Sequence, residues 1–331
     1  MQSIPDISQF KNKRILIVGD IMLDEFVYTT SNRNSPEYKN VPVLKISDKK
    51  QYLGGAANVA LNIKKLHAIP YLVGTIGNDE NGKTIEKLLH KENITNEYLH
   101  INSRQKTTVK TRIFKNDIPI GRIDEEENKP YDELVNQFIL KQILDAITHH
   151  QPHVIILQDY NKGILNAVTI PAIIDIAKQH HLKICVDPKF ENWDLYKEVD
   201  LFKPNLHEFM VMSESESESE NESEIESENK LLNNAVKLKE KINFKNLLVT
   251  LGADGNFIFD GEKHLFSKLK SRISIPDVCG AGDTVIAVAA LGIACNFSLE
   301  QIAELSNNAG FIVCQKENVQ PVFWEELVIS Y

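Results

Sequence analysis

The chain has 331 residues, 42% of them hydrophobic, enough for a sizeable core in one large domain or two smaller ones. Its net charge of −9 is concentrated, because eight glutamates and no basic residue lie between Ser213 and Glu228; no basic stripe elsewhere offers a nucleic-acid footprint. No apolar run follows Met1, the stretch Thr284 to Cys295 is too short to span a bilayer, and Cys185, Cys279, Cys295 and Cys314 show neither metal spacing nor pairing. These features point to a cytoplasmic protein with reduced thiols and with no membrane or nucleic-acid partner.

Arg14 to Gly19 is a short apolar run ending in a glycine turn, the usual first strand of an open α/β sheet. Ligands of such sheets gather beyond the carboxyl ends of the strands, which puts Asp20 and Asp24 where sugar hydroxyls can be gripped. Asp20 serves equally well as a loop cap. Residues 26–46 carry β-formers broken by Asn, Ser and Pro and predict a small strand layer beside the main sheet. Gly54 and Gly55 then open a helix from Ala56 to Leu66, with Asn58 on its first turn as a further sugar ligand; a tight strand-to-helix junction explains the glycines as well.

Pro70 to Ile76 predicts a second buried strand, and Asn81 to His90 an amphipathic helix. From Thr107 to Asp124 the alternation signals a hairpin turning at Asn116-Asp117. Lys110 and Arg112 share one face of it and Arg122 can join them from the returning strand, which suits a phosphate group or, equally, a solvated face. Helix Leu134 to Ala146, strand Val154 to Leu157, helix Thr169 to His180 and strand Ile184 to Val186 continue the alternation. Asn205 and Glu208, three apart, can together hold hydrated Mg²⁺ or a phosphate through water; the alternative is a capping pair at a helix start. The Ser-Glu run from Ser213 to Glu228 can bury nothing and reads as a solvated insertion or frayed helix without catalytic work. A helix to Lys241, strand Leu247 to Thr250, the turn Leu251 to Gly255 and a hairpin through Phe257 to Gly261 complete the pattern. The whole predicts one α/β domain over 1–331, with a doubly wound, mostly parallel sheet and a small β lid made by 26–46 and 107–124.

The most informative stretch is Asp277-Val278-Cys279-Gly280-Ala281-Gly282-Asp283-Thr284, which runs directly into an apolar helix. Gly280, Ala281 and Gly282 let successive backbone N–H groups converge at the helix N-terminus, where the dipole favours an anion. Asp283, at the mouth of such a site, would repel a resting phosphate; it is suited to accept the proton of an attacking hydroxyl. The bland alternative is a glycine turn and an N-cap.

Taken together these motifs resemble the PfkB, or ribokinase-like, carbohydrate kinase family. Gly54-Gly55-Ala56-Ala57-Asn58 is similar to its N-terminal signature and Asp277 to Thr284 to its C-terminal one. Asn205-x-x-Glu208 is similar to its magnesium and phosphate motif, and Thr250-Leu251-Gly252 to its nucleotide-side turn. The resemblance spans most of residues 12–314. It implies ATP and Mg²⁺ as cofactors, Asp283 as the base with the amides of Gly280, Ala281 and Gly282 around it, and ATP held by Asn205, Leu206, His207, Glu208, Thr250, Gly252, Gly255 and Asn308.

Within the family the chain looks most like the branch acting on D-glycero-β-D-manno-heptose 7-phosphate, on the strength of Val18 to Asp24, Ser35-Pro36-Glu37, Arg122-Ile123-Asp124, Asp159 to Gly163 and Asp187-Pro188-Lys189. That implies phosphorylation of the anomeric hydroxyl in ADP-heptose and lipopolysaccharide synthesis. Lys110, Arg112, Arg122, Lys162 and Lys189 become candidates for the phosphate the sugar already carries. Gln158 and Asn161 depart from this branch, which usually has small residues there, and Cys279 stands where threonine is frequent. Ribose, fructose or another phosphosugar remains an alternative substrate, as does a silent nucleotide-binding regulator. A homodimer through the lid edge is expected. The chain is too short for the adenylyltransferase domain that many such enzymes carry, so adenylyl transfer is expected of a separate protein.

Overall fold

A computed structural model describes residues 5–31, 33–213, 224–268 and 278–329 of the chain. Asp277 and residues 214–223 of the Ser-Glu run lie outside them. Strand β1 (Arg14–Gly19) is buried on both faces: Ile15 and Ile17 join one apolar cluster, Leu16 and Val18 another. Such alternation between two cores is what a central strand between two helix layers requires. The first cluster is filled by helices Ala56–Lys65, Ala281–Ala294 and Leu299–Cys314, the second by helices Glu133–His150, Thr169–Gln179 and Glu224–Ile242.

The other strands are β2 (Ile21–Thr30), β3 (Lys45–Gly55), β4 (Ile69–Gly77), β5 (Leu99–Asn102), β6 (Thr108–Lys115), β7 (Ile118–Glu125), β8 (Val154–Gln158), β9 (Lys183–Asp187), β10 (Leu201–Phe202), β11 (Asn246–Thr250), β12 (Asn256–Phe259) and β13 (His264–Ser267). Nine of them form one sheet in the order β13-β12-β11-β10-β9-β8-β1-β4-β5, parallel except for the pairings of β12 with β11 and β13. The chain runs outward from β1 to β4 and β5, then returns to place β8 on the other side of β1. This reversal of strand order opens a crevice at the carboxyl ends of β1 and β8, the preferred ligand position in doubly wound sheets.

The lid is a separate four-stranded sheet, β3-β2-β6-β7. Its strands differ from those expected. β2 begins at Ile21, directly after the β1 turn, and pairs with β3 from Ile21↔Gly55 to Thr30↔Lys45, whereas residues 33–44 contribute only an isolated Asn34↔Pro42 bridge. The prolines, Asn and Ser of that segment break the strand. β3 was not legible because its first half, Lys45-Ile46-Ser47-Asp48-Lys49, is exposed on both faces and carries no apolar alternation. The hairpin β6–β7 lies where the sequence placed it. In the acidic run, residues 224–228 already belong to the helix Glu224–Ile242.

Candidate active site

Across the crevice, Gly19 of β1, Gln158 of β8 and Asp187 of β9 lie side by side in register. Gly19 has no substitute here, since a Cβ would meet the Gln158 carbonyl oxygen at 2.2 Å. Beyond β8 the loop 159–163 is tied down by Asp20, whose Oδ2 accepts the backbone N–H groups of Tyr160 (2.8 Å) and Lys162 (3.1 Å). Asp20 thus fills the loop-capping role. Asp159 does similar work, accepting from Asn161 N, Asn192 Nδ2 and the Tyr196 hydroxyl.

The helix Ala281–Ala294 starts over this floor, with Gly280 as its N-cap at φ 77°, a left-handed conformation that favours glycine. The first backbone amides of a helix have no carbonyl within it to bind. Ala281 N–H is used inside the turn, reaching Val278 O at 3.2 Å. Asp283 occupies the first turn, so its carboxylate stands beside those amides. It differs from the expectation in one respect: it is 3% exposed and lies one layer below the cavity wall, not at its mouth. Three side chains cover it. Asn58 Nδ2 donates to Oδ2 at 2.8 Å, while the Tyr160 hydroxyl (2.8 Å) and Gln158 Nε2 (3.1 Å) donate to Oδ1. Burial pushes the Asp283 carboxyl up to about 7, against the bonds from Asn58 and Tyr160 that favour its charged form; Asp187 and Asp24 add repulsion in the same direction as burial. A carboxyl so placed takes and gives a proton near neutral pH.

Tyr160 and Gln158 also line a cavity of about 700 Å³, together with Asp187, Lys189, Lys203, Asn205, Leu206, His207, Glu208, Thr250, Gly252 and Gly282. Lys203 is buried and pairs with Asp187 at 3.0 Å. Asn205 is the N-cap of helix Leu206–Met212 and forms a capping box with Glu208, so the bland reading of this pair is realised. Glu208 Oε1 also binds Lys189 at 2.7 Å. Asn205 and Glu208 nonetheless line the cavity, as does Asp187. Hard oxygen donors of this kind suit a hydrated Mg²⁺ held with a substrate's phosphates. Among the described residues no group of three or more His, Cys, Asp or Glu side chains forms a protein-only metal cage.

A second cavity of about 150 Å³ continues behind Gly282, walled by Val278, Val285, Phe311 and Cys314 and edged by Thr250, Gly252 and Gly255. Gly255 (φ 94°) is fixed by the Ser267 carbonyl, which a Cβ would meet at 2.0 Å. Asn308, the expected adenine contact, is not part of this wall, and its buried amide nitrogen has no hydrogen-bond partner. The residues of this helix that line the cavity include Ser306 and Asn307, two and one positions earlier. Helical periodicity turned Asn308 to another side.

On the lid side, Asp24 Oδ1 binds Arg112 at 2.6 Å. Gly54 is glycine because a Cβ there would come 2.2 Å from Asp24 Oδ2, and Gly55, at φ 57°, because a Cβ would meet Asp20 O at 2.4 Å. Asn58 is committed to Asp283, not open to a sugar as expected. Lys162, almost fully buried, binds Glu126 (2.9 Å) and Asn128 Oδ1 (2.6 Å). Lys110 is 4.0 Å from the same Glu126 and lies over the Tyr160 ring, as Lys189 also does. Burial lowers the Lys110 ammonium's pKa, with Glu126 opposing. Arg122 is apart from this group, exposed on β7 and paired with Asp124 at 2.8 Å. Sequence reading missed Gln158, Tyr160 and Lys203 as site residues, and Glu126 as the partner of Lys110 and Lys162. The strand-end position of Gln158 and Tyr160 was the available signal.

Residues 12–326 match the description "pfkB family carbohydrate kinase". Curated relatives include the "Bifunctional protein HldE" of Helicobacter pylori (strain G27), 34% identical over 96% of this chain and 66% of its own length. The protein of the same name from Pasteurella multocida (strain Pm70) is 32% identical over 97% and 64%. The chain thus spans about two thirds of the length of these relatives. Among solved structures, Arabidopsis thaliana ribokinase complexed with ribose and ATP superposes with a TM-score of 0.73 at 18% identity, covering 96% of this chain and 98% of that one. Escherichia coli phosphofructokinase-2 in complex with potassium gives 0.74 at 17%, covering 96% and 97%. These likenesses carry the fold.

Proposed function

Because the chain belongs to the pfkB family of carbohydrate kinases, we propose that it transfers the γ-phosphoryl group of ATP to the anomeric hydroxyl of a phosphorylated sugar, D-glycero-β-D-manno-heptose 7-phosphate, giving the 1,7-bisphosphate for ADP-heptose and lipopolysaccharide synthesis. The observation that carries the chemistry is Asp283, a buried carboxylate with a raised pKa beside the free amides of a helix N-terminus. The Asp283 carboxylate receives the hydroxyl's proton as that oxygen attacks the γ-phosphorus; the bond from the γ-phosphorus to the β,γ-bridging oxygen breaks and ADP departs. The sugar hydroxyl takes the place of the Tyr160 hydroxyl on Oδ1, which admits it to the covered base. Backbone N–H groups at Gly282 and Asp283 gather the charge of the transferred group, a contribution of about 3–4 kcal/mol per preorganised donor.

The base and ribose of ATP occupy the two cavities on either side of Gly282, along Thr250, Gly252 and Gly255, with Lys203 and Lys189 toward the phosphates. Asn205 and Glu208 would hold Mg²⁺ through water; when bound, the ion neutralises the phosphate oxygens and orients them. On the sugar side, Asp24 with Arg112 faces the hydroxyls, and Lys110 with Lys162 supplies cations for the phosphate already present. The heptose reading rests on the motif resemblance and on relatives named for a bifunctional protein. A homodimer through the lid is proposed on the exposure of every residue of edge strand β7, including Ile118, Ile120 and Ile123. Among the described residues no helix is long and apolar enough to cross a membrane.

An ATP-dependent assay over a panel of heptose 7-phosphate, fructose 6-phosphate, ribose and fructose tests the reading. The heptose phosphate should give the highest kcat/KM. Preference for an unphosphorylated sugar would overturn the substrate, and silence with every sugar would overturn the kinase.

A further inference from the structure

Gln158 stands at the end of β8, at the point where strand order reverses, and is 1% exposed. Its amide nitrogen has two hydrogens and two carboxylate neighbours, Asp283 Oδ1 and Asp187 Oδ2, each at 3.1 Å. The register explains the second contact, since Gln158 and Asp187 are direct neighbours on parallel strands and project to the same side. On the other flank Gly19 has no side chain, and a Cβ there would come 2.8 Å from Gln158 Cβ. The orientation of the amide is set by its partners, because two carboxylates can only accept.

Two buried carboxylates so close repel. The cation at hand, Lys203, binds Asp187 Oδ1 and leaves Asp283 to neutral donors. Asp24 adds a third negative group from the lid, itself paired with Arg112, and Tyr160 faces Asp283 from the loop after β8. We propose that Gln158 is a positioning residue that bridges Asp187 and Asp283, keeping Asp283 ionised and aimed at neutral pH despite its acidic neighbours. The inference rests on the reading of Asp283 as the base. A small residue at this position would leave the two carboxylates unbridged.

The test compares wild type with Gln158→Met, which keeps the length and loses both donors, and with Gln158→Ala, which guards against a packing artefact of the thioether. Two readouts are taken. One is the acidic limb of kcat/KM against pH; the other is the carboxyl ¹³C titration of Asp283, assigned by its loss in Asp283→Asn. Hydrogen bonds to a charged group are worth enough to move a carboxyl by about one pH unit. Both variants should shift limb and titration midpoint upward by about that much, with activity roughly tenfold lower at pH 6 and within about threefold of wild type at pH 9. Ionisation of the nucleotide is common to all variants and drops out of the difference. An unmoved midpoint, or a loss equal at every pH, overturns the proposal. If Asp283→Asn keeps its turnover, the base reading fails, while the ¹³C midpoint still reports whether the bridge exists.

Discussion

Arg112 Nη1 lies 2.6 Å from Asp24 Oδ1, joining two neighbouring strands of the lid, β6 and β2, through their side chains. The pair is mostly buried, with side-chain exposures of 19% and 8%. Breaking one half of a buried pair costs roughly 3–5 kcal/mol because the other charge is left alone. Arg112→Ala should therefore lower the unfolding free energy by about 2–4 kcal/mol, allowing for partial exposure. A variant with unchanged denaturant midpoint but weaker binding of phosphosugars alone would return Arg112 to the phosphate.

Gly54→Ala should displace the Asp24 carboxylate, since the added Cβ falls 2.2 Å from its Oδ2. We expect sugar KM to rise at least tenfold. Gly121→Ala, where a Cβ meets nothing within 4 Å, serves as the control and should be neutral in the same kinetics. Equal behaviour of the two would separate Asp24 from sugar binding.

Lys162→Ala should lower kcat/KM for a phosphorylated sugar by roughly 10–100-fold, the worth of one charge-assisted contact, and spare unphosphorylated analogues. Glu126 holds the Lys162 ammonium at 2.9 Å, and on the proposed reading it yields that ammonium to the incoming phosphate. Glu126→Gln should thus tighten phosphosugar binding in a titration calorimeter. Weaker binding would show that the carboxylate positions the lysine instead.

The Asp283 carboxyl sits near pH 7 when folded and near 3.8 in its ordinary state. As a base it works only when ionised, so kcat/KM should climb as pH rises through about 7, and Asp283→Asn should lose several orders of magnitude with little change in substrate affinity. Stability has the opposite sense. A folded pKa above the unfolded one gives a contribution that is complete below about 4 and is lost as pH rises through about 7. Asp283→Asn removes that dependence, so the variant should gain on wild type between those values in urea unfolding. A wild-type rate that is flat across neutrality would refute the assignment.

Much of this protein was readable from its residues in line. Apolar runs of β length alternating with helical periodicity gave the doubly wound sheet, because burial on two faces leaves a local trace in every strand. The glycines at 54 and 55 marked one strand-to-helix junction of the site, those at 280 and 282 the start of the helix Ala281–Ala294, and Asp283 followed from its place after them. The first half of lid strand β3 was silent, since a ribbon exposed on both faces needs no apolar pattern.

What the folded chain alone decided is which groups meet. Asn58 and Asp283, 225 positions apart, share a hydrogen bond of 2.8 Å, and Gln158 closes on both Asp187 and Asp283. Asn205 and Glu208 turned out to cap a helix, and Asn307 took the cavity position expected of Asn308. A residue's type states what it can donate or accept. Its partner, burial and pKa depend on strand order and on the rotation of each helix, which distant contacts set.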